Sequence, residues 1–183
     1  MSLLELIDRA DERSLAASGL ACLDRCLPLL APDGGEVLRP VWAAVARGDG
    51  GAWGEAVAKA RIELDGAGTE EGEAAGLVRE MLGAAPAEWA DGPLRTWASG
   101  CSVTALALHG RYDAAEVTDE SIARCRAGDG AGAGPLLAGE LRRQETVLES
   151  VAHGPTGLRR ARELSTEGGR VLRAVVSRRA RTA

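Results

Sequence analysis

Cys22 and Cys26 stand four residues apart on what reads as a helix, so their thiols share one face at a spacing that can hold a metal ion. Cys101, Cys125 or His109 would have to complete the ligand set from elsewhere, and no paired Cys-x-x-Cys knuckle is present. Each of the four cysteines falls on or near an apolar stripe, where a free thiol packs as a small hydrophobe. Cys101 and His109 form the one nucleophile and base that share an element. Eight residues of helix set their Cα atoms about 12 Å apart, beyond hydrogen-bond reach. His109 and His153 are the only histidines, and each stands at a helix end, where a cation is favourable. These residues lean away from an enzyme, and they name no catalytic group, metal or cofactor.

Gly128-Asp-Gly-Ala-Gly-Ala133 meets a G-x-G-x-x-G/A pattern ahead of a helix. The dinucleotide fingerprint needs a strand before it, and Ile122-Ala-Arg-Cys-Arg126 reads as helical. No Gly-Lys-Ser/Thr occurs, so a P-loop is excluded. Gly128 to Gly134 reads as a flexible connector.

Arginine gives the clearest pattern. Residues 155–183 hold eight arginines against Glu163 and Glu167, a surplus of six, which leaves the remainder at −11 for a total of −5. On a helical wheel Arg159, Arg162, Arg170 and Arg173 fall in one narrow arc, with Leu164, Val171, Leu172 and Val175 opposite. Gly168-Gly169 does not reset the phase, so a basic amphipathic helix is expected over about 158–180. The plainer reading is a solvated face docked onto the protein's own acidic body; the functional one is a basic face for an acidic partner, RNA or a phosphate-bearing ligand. No aromatic residue lies there to stack bases, and the overall charge is negative, which disfavours nucleic acid.

Trp42, Trp53, Trp89 and Trp97 lie within 56 residues of a chain without phenylalanine. Filling core volume is their first role. Beside Ser99, Ser102 and Thr104, the indoles of Trp42, Trp53 and Trp97 could also wall a pocket for a small hydrophobic ligand.

These residues need helices to position them. Pro93 to Gly110 is free of charge apart from Arg95 and His109, and Leu94, Trp97, Ala98, Cys101, Ala105 and Leu108 follow the period of a helix with one buried face. Thr96, Ser99, Gly100, Ser102, Val103 and Thr104 opposite are small enough for neighbours to approach closely. Ser2 with Glu5 forms a capping box, and an apolar stripe from Leu15 to Leu30 is kinked or ended by Pro28. Short helices follow around Pro40 and from Trp53 to Leu64, the latter ended by Asp65-Gly-Ala-Gly68. Thr69 is expected to cap a helix with Glu70, Glu71 and Glu73 in its first turn. Pro86 to Ala90 reads as a single turn. Further helices are expected over Asp113 to Ala127, with a second cap at Thr118, and from Pro135 to Gly154. No segment alternates with a strand's period of two.

Leu108-His-Gly-Arg-Tyr-Asp-Ala-Ala115 resembles the inter-helix turn of tetratricopeptide repeats, and Val45-Ala-Arg-Gly-Asp49 is a fainter echo. The aromatic and alanine of the second repeat helix fall on Asp119 and Ile122, and the echoes lie 62 residues apart instead of about 34. The likeness implies consecutive helix pairs with short turns and nothing narrower.

The expected architecture is all-α: one domain over 1–183, a multi-helix bundle of consecutive antiparallel pairs around a central apolar helix at about 93–110. No apolar run reaches the roughly 18 to 20 residues of a membrane span, and the N-terminus lacks the basic region of a secretory signal. Unpaired cysteines at irregular spacings fit the cytoplasm. Absent Phe and Asn and the single Lys59 fit a high-GC bacterial genome. The functional expectation is a non-enzymatic adaptor or regulatory protein that binds a protein partner, or itself, through Arg159, Arg162, Arg170 and Arg173. The alternative is a small-molecule protein, or an enzyme of secondary metabolism, with a tryptophan-lined pocket.

Overall fold

The computed structural model describes residues 1–66 and 69–183. They form nine α-helices and, among the described residues, no strand. In chain order these are α1 (Leu3–Arg9), α2 (Glu12–Cys26), α3 (Arg39–Arg47), α4 (Gly50–Leu64), α5 (Glu73–Gly83), α6 (Asp91–Gly110), α7 (Asp119–Arg126), α8 (Pro135–Val151) and α9 (Pro155–Thr182). Among the described residues, no helix is long and apolar enough to cross a membrane.

Local chemistry sets most boundaries. The Ser2 capping box is present, and Asp11 starts α2 by accepting the Ser14 amide at 2.8 Å. Pro28 sits in a 3-10 turn, Leu27–Leu29, that ends the α2 segment. Gly48 closes α3 at φ 64°, a left-handed conformation that glycine adopts without a Cβ penalty.

Three expectations fail, each for an identifiable reason. Thr69 does not cap α5, which begins at Glu73 behind Gly72; its hydroxyl instead accepts a bond from Arg79, which also reaches the Glu70 carbonyl. Of the expected acidic first turn, only Glu73 is helical; of the glycine-rich stop before it, Ala67 and Gly68 lie outside the described residues. No helix runs from Asp113, because its carboxylate accepts the Leu136 and Leu137 amides, both at 2.9 Å, and so caps α8. That leaves α7 to begin behind the Thr118 capping box. Pro86 to Ala90 is irregular, held by the Trp53 indole on the Pro86 carbonyl at 2.7 Å.

α6 is buried at Leu94, Trp97, Ala98, Cys101, Ala105 and Leu108, as its period requires. Its main partner, α2, is still more enclosed, with a continuous buried run from Ser14 to Leu23. The close approach between them comes from α2: a Cβ on Gly19 would lie 2.6 Å from the Trp97 ring. α8 and α9 pack against α2, and α9 runs unbroken through Gly168-Gly169.

At this junction lies a buried polar group. Arg25 of α2 grips Glu140 of α8 with two nitrogens, Nη2 to Oε1 at 2.7 Å and Nε to Oε2 at 2.8 Å, both side chains fully enclosed. Gln144 donates to Glu140 at 2.9 Å, and the Ser102 hydroxyl of α6 donates to Gln144 at 2.6 Å. α9 can cross only because residue 168 is glycine: a Cβ there would collide with the Arg25 stem. His109 Nδ1 lies 2.9 Å from the Ala105 carbonyl, so that nitrogen donates, and Nε2 faces Glu140 at 3.6 Å. Burial lowers the His109 pKa against the opposing pull of Glu140. Burial pushes the Glu140 carboxyl up, but Arg25 and His109 outweigh it and hold the group below its usual range.

Glu140→Ala strands a buried guanidinium and is expected to cost about 3 to 5 kcal/mol in urea denaturation. The double variant Arg25→Met/Glu140→Leu is expected to be less destabilised than Glu140→Ala alone. The pH dependence has one sign for both groups, because the unfolded chain binds each proton first as pH falls. The stability that these two groups contribute is therefore full above about pH 6.5 and declines below it, and His109→Gln flattens that decline between about pH 6.5 and 5. Urea midpoints across this range measure it.

Candidate functional site

α9 buries Leu158, Ala161, Leu164, Ser165, Gly168, Gly169 and Leu172. That fixes the rotation of the helix and leaves Arg159, Arg162, Arg170 and Arg173 exposed. They border a furrow whose opposite wall is the 27–36 segment and α3. Two hollows make it up, of about 460 and 580 Å³, and both are lined by Arg39, Trp42, Arg162 and Thr166. The first continues past Asp24, Gly169 and Arg170 to Arg173, and is mostly polar. The second is floored by Ala43, Ala46 and Leu158 and rimmed by Arg159. Arg159 to Arg173 spans about 21 Å of helix.

Of the acids along this furrow, Asp24, Glu36 and Glu163 are engaged, and Asp33 has no ion pair among the described residues. Glu36 pairs with Arg39 at 3.3 Å, and Glu163 with Arg160 at 3.6 Å. Asp24 accepts the Trp42 indole N–H at 2.9 Å. Burial raises the Asp24 pKa, with the Trp42 bond and the charges of Arg25 and Arg162 pulling the other way. Arg173 donates to the neutral Pro32 carbonyl at 2.8 Å. Among the described residues, none of Arg159, Arg162, Arg170 and Arg173 has an acid within ion-pair distance. Their charge is therefore not neutralised by ion pairs with the protein's own acids.

The tryptophans divide. Trp53 is fully buried, with Trp97 and Trp89 edge-on at centroid distances of 5.5 and 5.6 Å. Trp42 stands apart in the α9 furrow, because its indole is turned to Asp24 of α2. Trp42, Trp53 and Trp97 therefore do not wall one cavity. Ser102 is spent on Gln144, and Ser99 accepts a bond from Arg126 at 2.8 Å. Trp97 and Thr104 do share a groove of about 630 Å³, together with Met81, Pro86 and Gly100. It is mainly apolar and lies on the α6 face where the sequence led us to expect neighbouring helices.

All four cysteines are free and buried. Burial pushes the Cys22 thiol up to about 12 and raises Cys26 and Cys101 well above the usual thiol range. Cys101 and His109 make no contact within hydrogen-bond reach, since His109 is held between Ala105 and Glu140. Among the described residues, no group of three histidines, cysteines or acids is placed to hold a metal.

Sequence reasoning overlooked Asp24, Arg39 and Thr166 in the furrow, and Arg25, Glu140 and Gln144 beneath it. One signal was present: Asp24 and Arg25 are the only charged residues between Arg13 and Asp33. A charged pair in such a run must be satisfied from another element. Compared with protein-family models, curated proteins and solved structures, the chain matches none.

Thiol reactivity follows from the burial. Cys22, Cys26 and Cys101 are expected to resist a disulfide-exchange reagent in the native protein while all four thiols react in denaturant, as counted spectrophotometrically.

Proposed function

We propose that the chain is a non-enzymatic binding protein, an adaptor or regulator of the cytoplasm, that takes an acidic segment of a protein partner into the furrow between α9 and α3. The observation that carries this reading is the row of four α9 arginines without ion-pair partners. Guanidinium groups bind carboxylates with two parallel hydrogen bonds. A row of them also speeds encounter with an acidic surface, in a manner that salt screens. The hollows beside them give a partner concave surface as well as charge.

A second reading has its own support. The apolar groove beside Trp97 has a volume ordinary for a small-molecule site, and a small hydrophobic ligand there would alter the fluorescence of the Trp53–Trp89–Trp97 cluster.

A photo-crosslinking residue at Thr166, in the host cell, tests the first reading. We expect a discrete adduct with a second polypeptide, reduced about tenfold or more when Arg162 and Arg170 are both changed to Glu. An adduct that survives the reversal undiminished, or no adduct, refutes it.

A further inference from the structure

The furrow is not uniform along its length, and the difference says what shape of partner it suits. At the end near Pro155 the hollow is floored by Ala43, Ala46 and Leu158, side chains with nothing to offer a polar group. At the other end Arg170 and Arg173 have no acid within ion-pair distance among the described residues, though Asp33 lines the same hollow, and Arg162 lies between the two. From the centre of the apolar half, near residue 160 of α9, to Arg170 is about 15 Å at the rise of a helix.

The middle of the furrow mixes donors and acceptors, the guanidiniums of Arg39 and Arg162 beside Asp24 and Thr166. Asp24 commits one oxygen to Trp42, and its Oδ1 has no donor among the described residues. The Thr166 hydroxyl spends its hydrogen on the Arg162 carbonyl at 3.1 Å, which leaves only lone pairs facing the furrow. Such a surface wants N–H groups for its acceptors and carbonyls for its guanidiniums. An extended chain carries unpaired amides along its whole length, whereas the middle of a helix has none to give.

Building on the acidic-partner reading above, we infer that the occupant is a short extended segment of a protein with a bipartite motif: an apolar side chain for the Ala43–Ala46–Leu158 hollow, and an acidic pair for Arg170 and Arg173. At about 3.3 Å per residue this distance of about 15 Å corresponds to four or five residues. The apolar residue fixes the register, the acids supply the attraction, and the intervening amides meet Asp24 and Thr166. Charge alone would hold any acidic tail; the apolar hollow makes the site selective.

Fluorescence anisotropy with the full-length protein and a dye-labelled peptide, Ala-Leu-Ser-Ser-Ser-Glu-Glu-Ala, tests this. Saturable binding is expected, weaker by about tenfold or more when Leu becomes Ser or when the Ser-Ser-Ser spacer is deleted. The protein variants Ala46→Glu and Arg170→Gln/Arg173→Gln, all at exposed positions, are expected to weaken the parent peptide by a similar factor. Equal binding of all three peptides, lost in the arginine variant, overturns the bipartite motif and keeps the acidic-partner reading. No saturable binding of the parent peptide also overturns the motif. Binding indifferent to the arginines overturns both.

Discussion

A fully enclosed arginine held by a fully enclosed glutamate is the constraint around which this bundle is arranged. Removing two charges from water costs several kcal/mol each, and their attraction repays it only when the geometry is close and the remaining atoms are satisfied. Here the pairing is two-pronged, Gln144 and Cys22 add contacts to the pair and Ser102 to Gln144, and Arg25 Nη1 is left without a partner among the described residues. The requirement falls on several helices at once. α2 and α8 must meet at one register, α6 must bring Ser102 to Gln144, and α9 must cross where it has no side chain. An apolar core tolerates small slips between helices, whereas this one loses its charge pairing with any slip.

Asp24 and Arg25 are consecutive, and the turn of the helix, about 100° per residue, sends them to different sides of α2. Arg25 enters the core while Asp24 reaches the furrow and holds Trp42. The rotation of α2 that the buried pair demands is therefore also the rotation that places the furrow floor. α9 is tied to the same point from above, since a Cβ on Gly168 would collide with Arg25 and one on Gly169 would come to ordinary contact distance of Pro28. Both walls of the candidate site thus take their positions from one interaction in the core.

The helical class, the enclosed segment around Trp97 and the amphipathic phase of α9 were legible in the sequence, because each rests on a repeat that local geometry enforces. Arg159, Arg162, Arg170 and Arg173 do share one exposed side of α9, as the wheel requires. What could not be read was which helix faces which. Asp113 looked like a helix start and instead caps a helix more than twenty residues later. Thr69 looked like a cap and serves Arg79. Trp42 looked like a member of the indole cluster, but a single hydrogen bond to Asp24 draws it to the other side of α3. In each case a polar side chain had several partners of equal local merit, and tertiary packing chose among them. Asp24-Arg25, alone in a long uncharged run, was the one mark of the core pair.

Two adjacent glycines in the middle of α9 carry a further implication. Each lowers intrinsic helicity by about 1 kcal/mol relative to alanine, so the two halves of the segment meet at its weakest helical stretch. α9 is continuous through that stretch where a prepared seat on α2 and α8 receives it. The arginine row is consequently a property of the finished molecule and of no earlier stage: a misassembled chain displays no ordered basic ridge, and a partner that reads the ridge tests the integrity of the core at the same time.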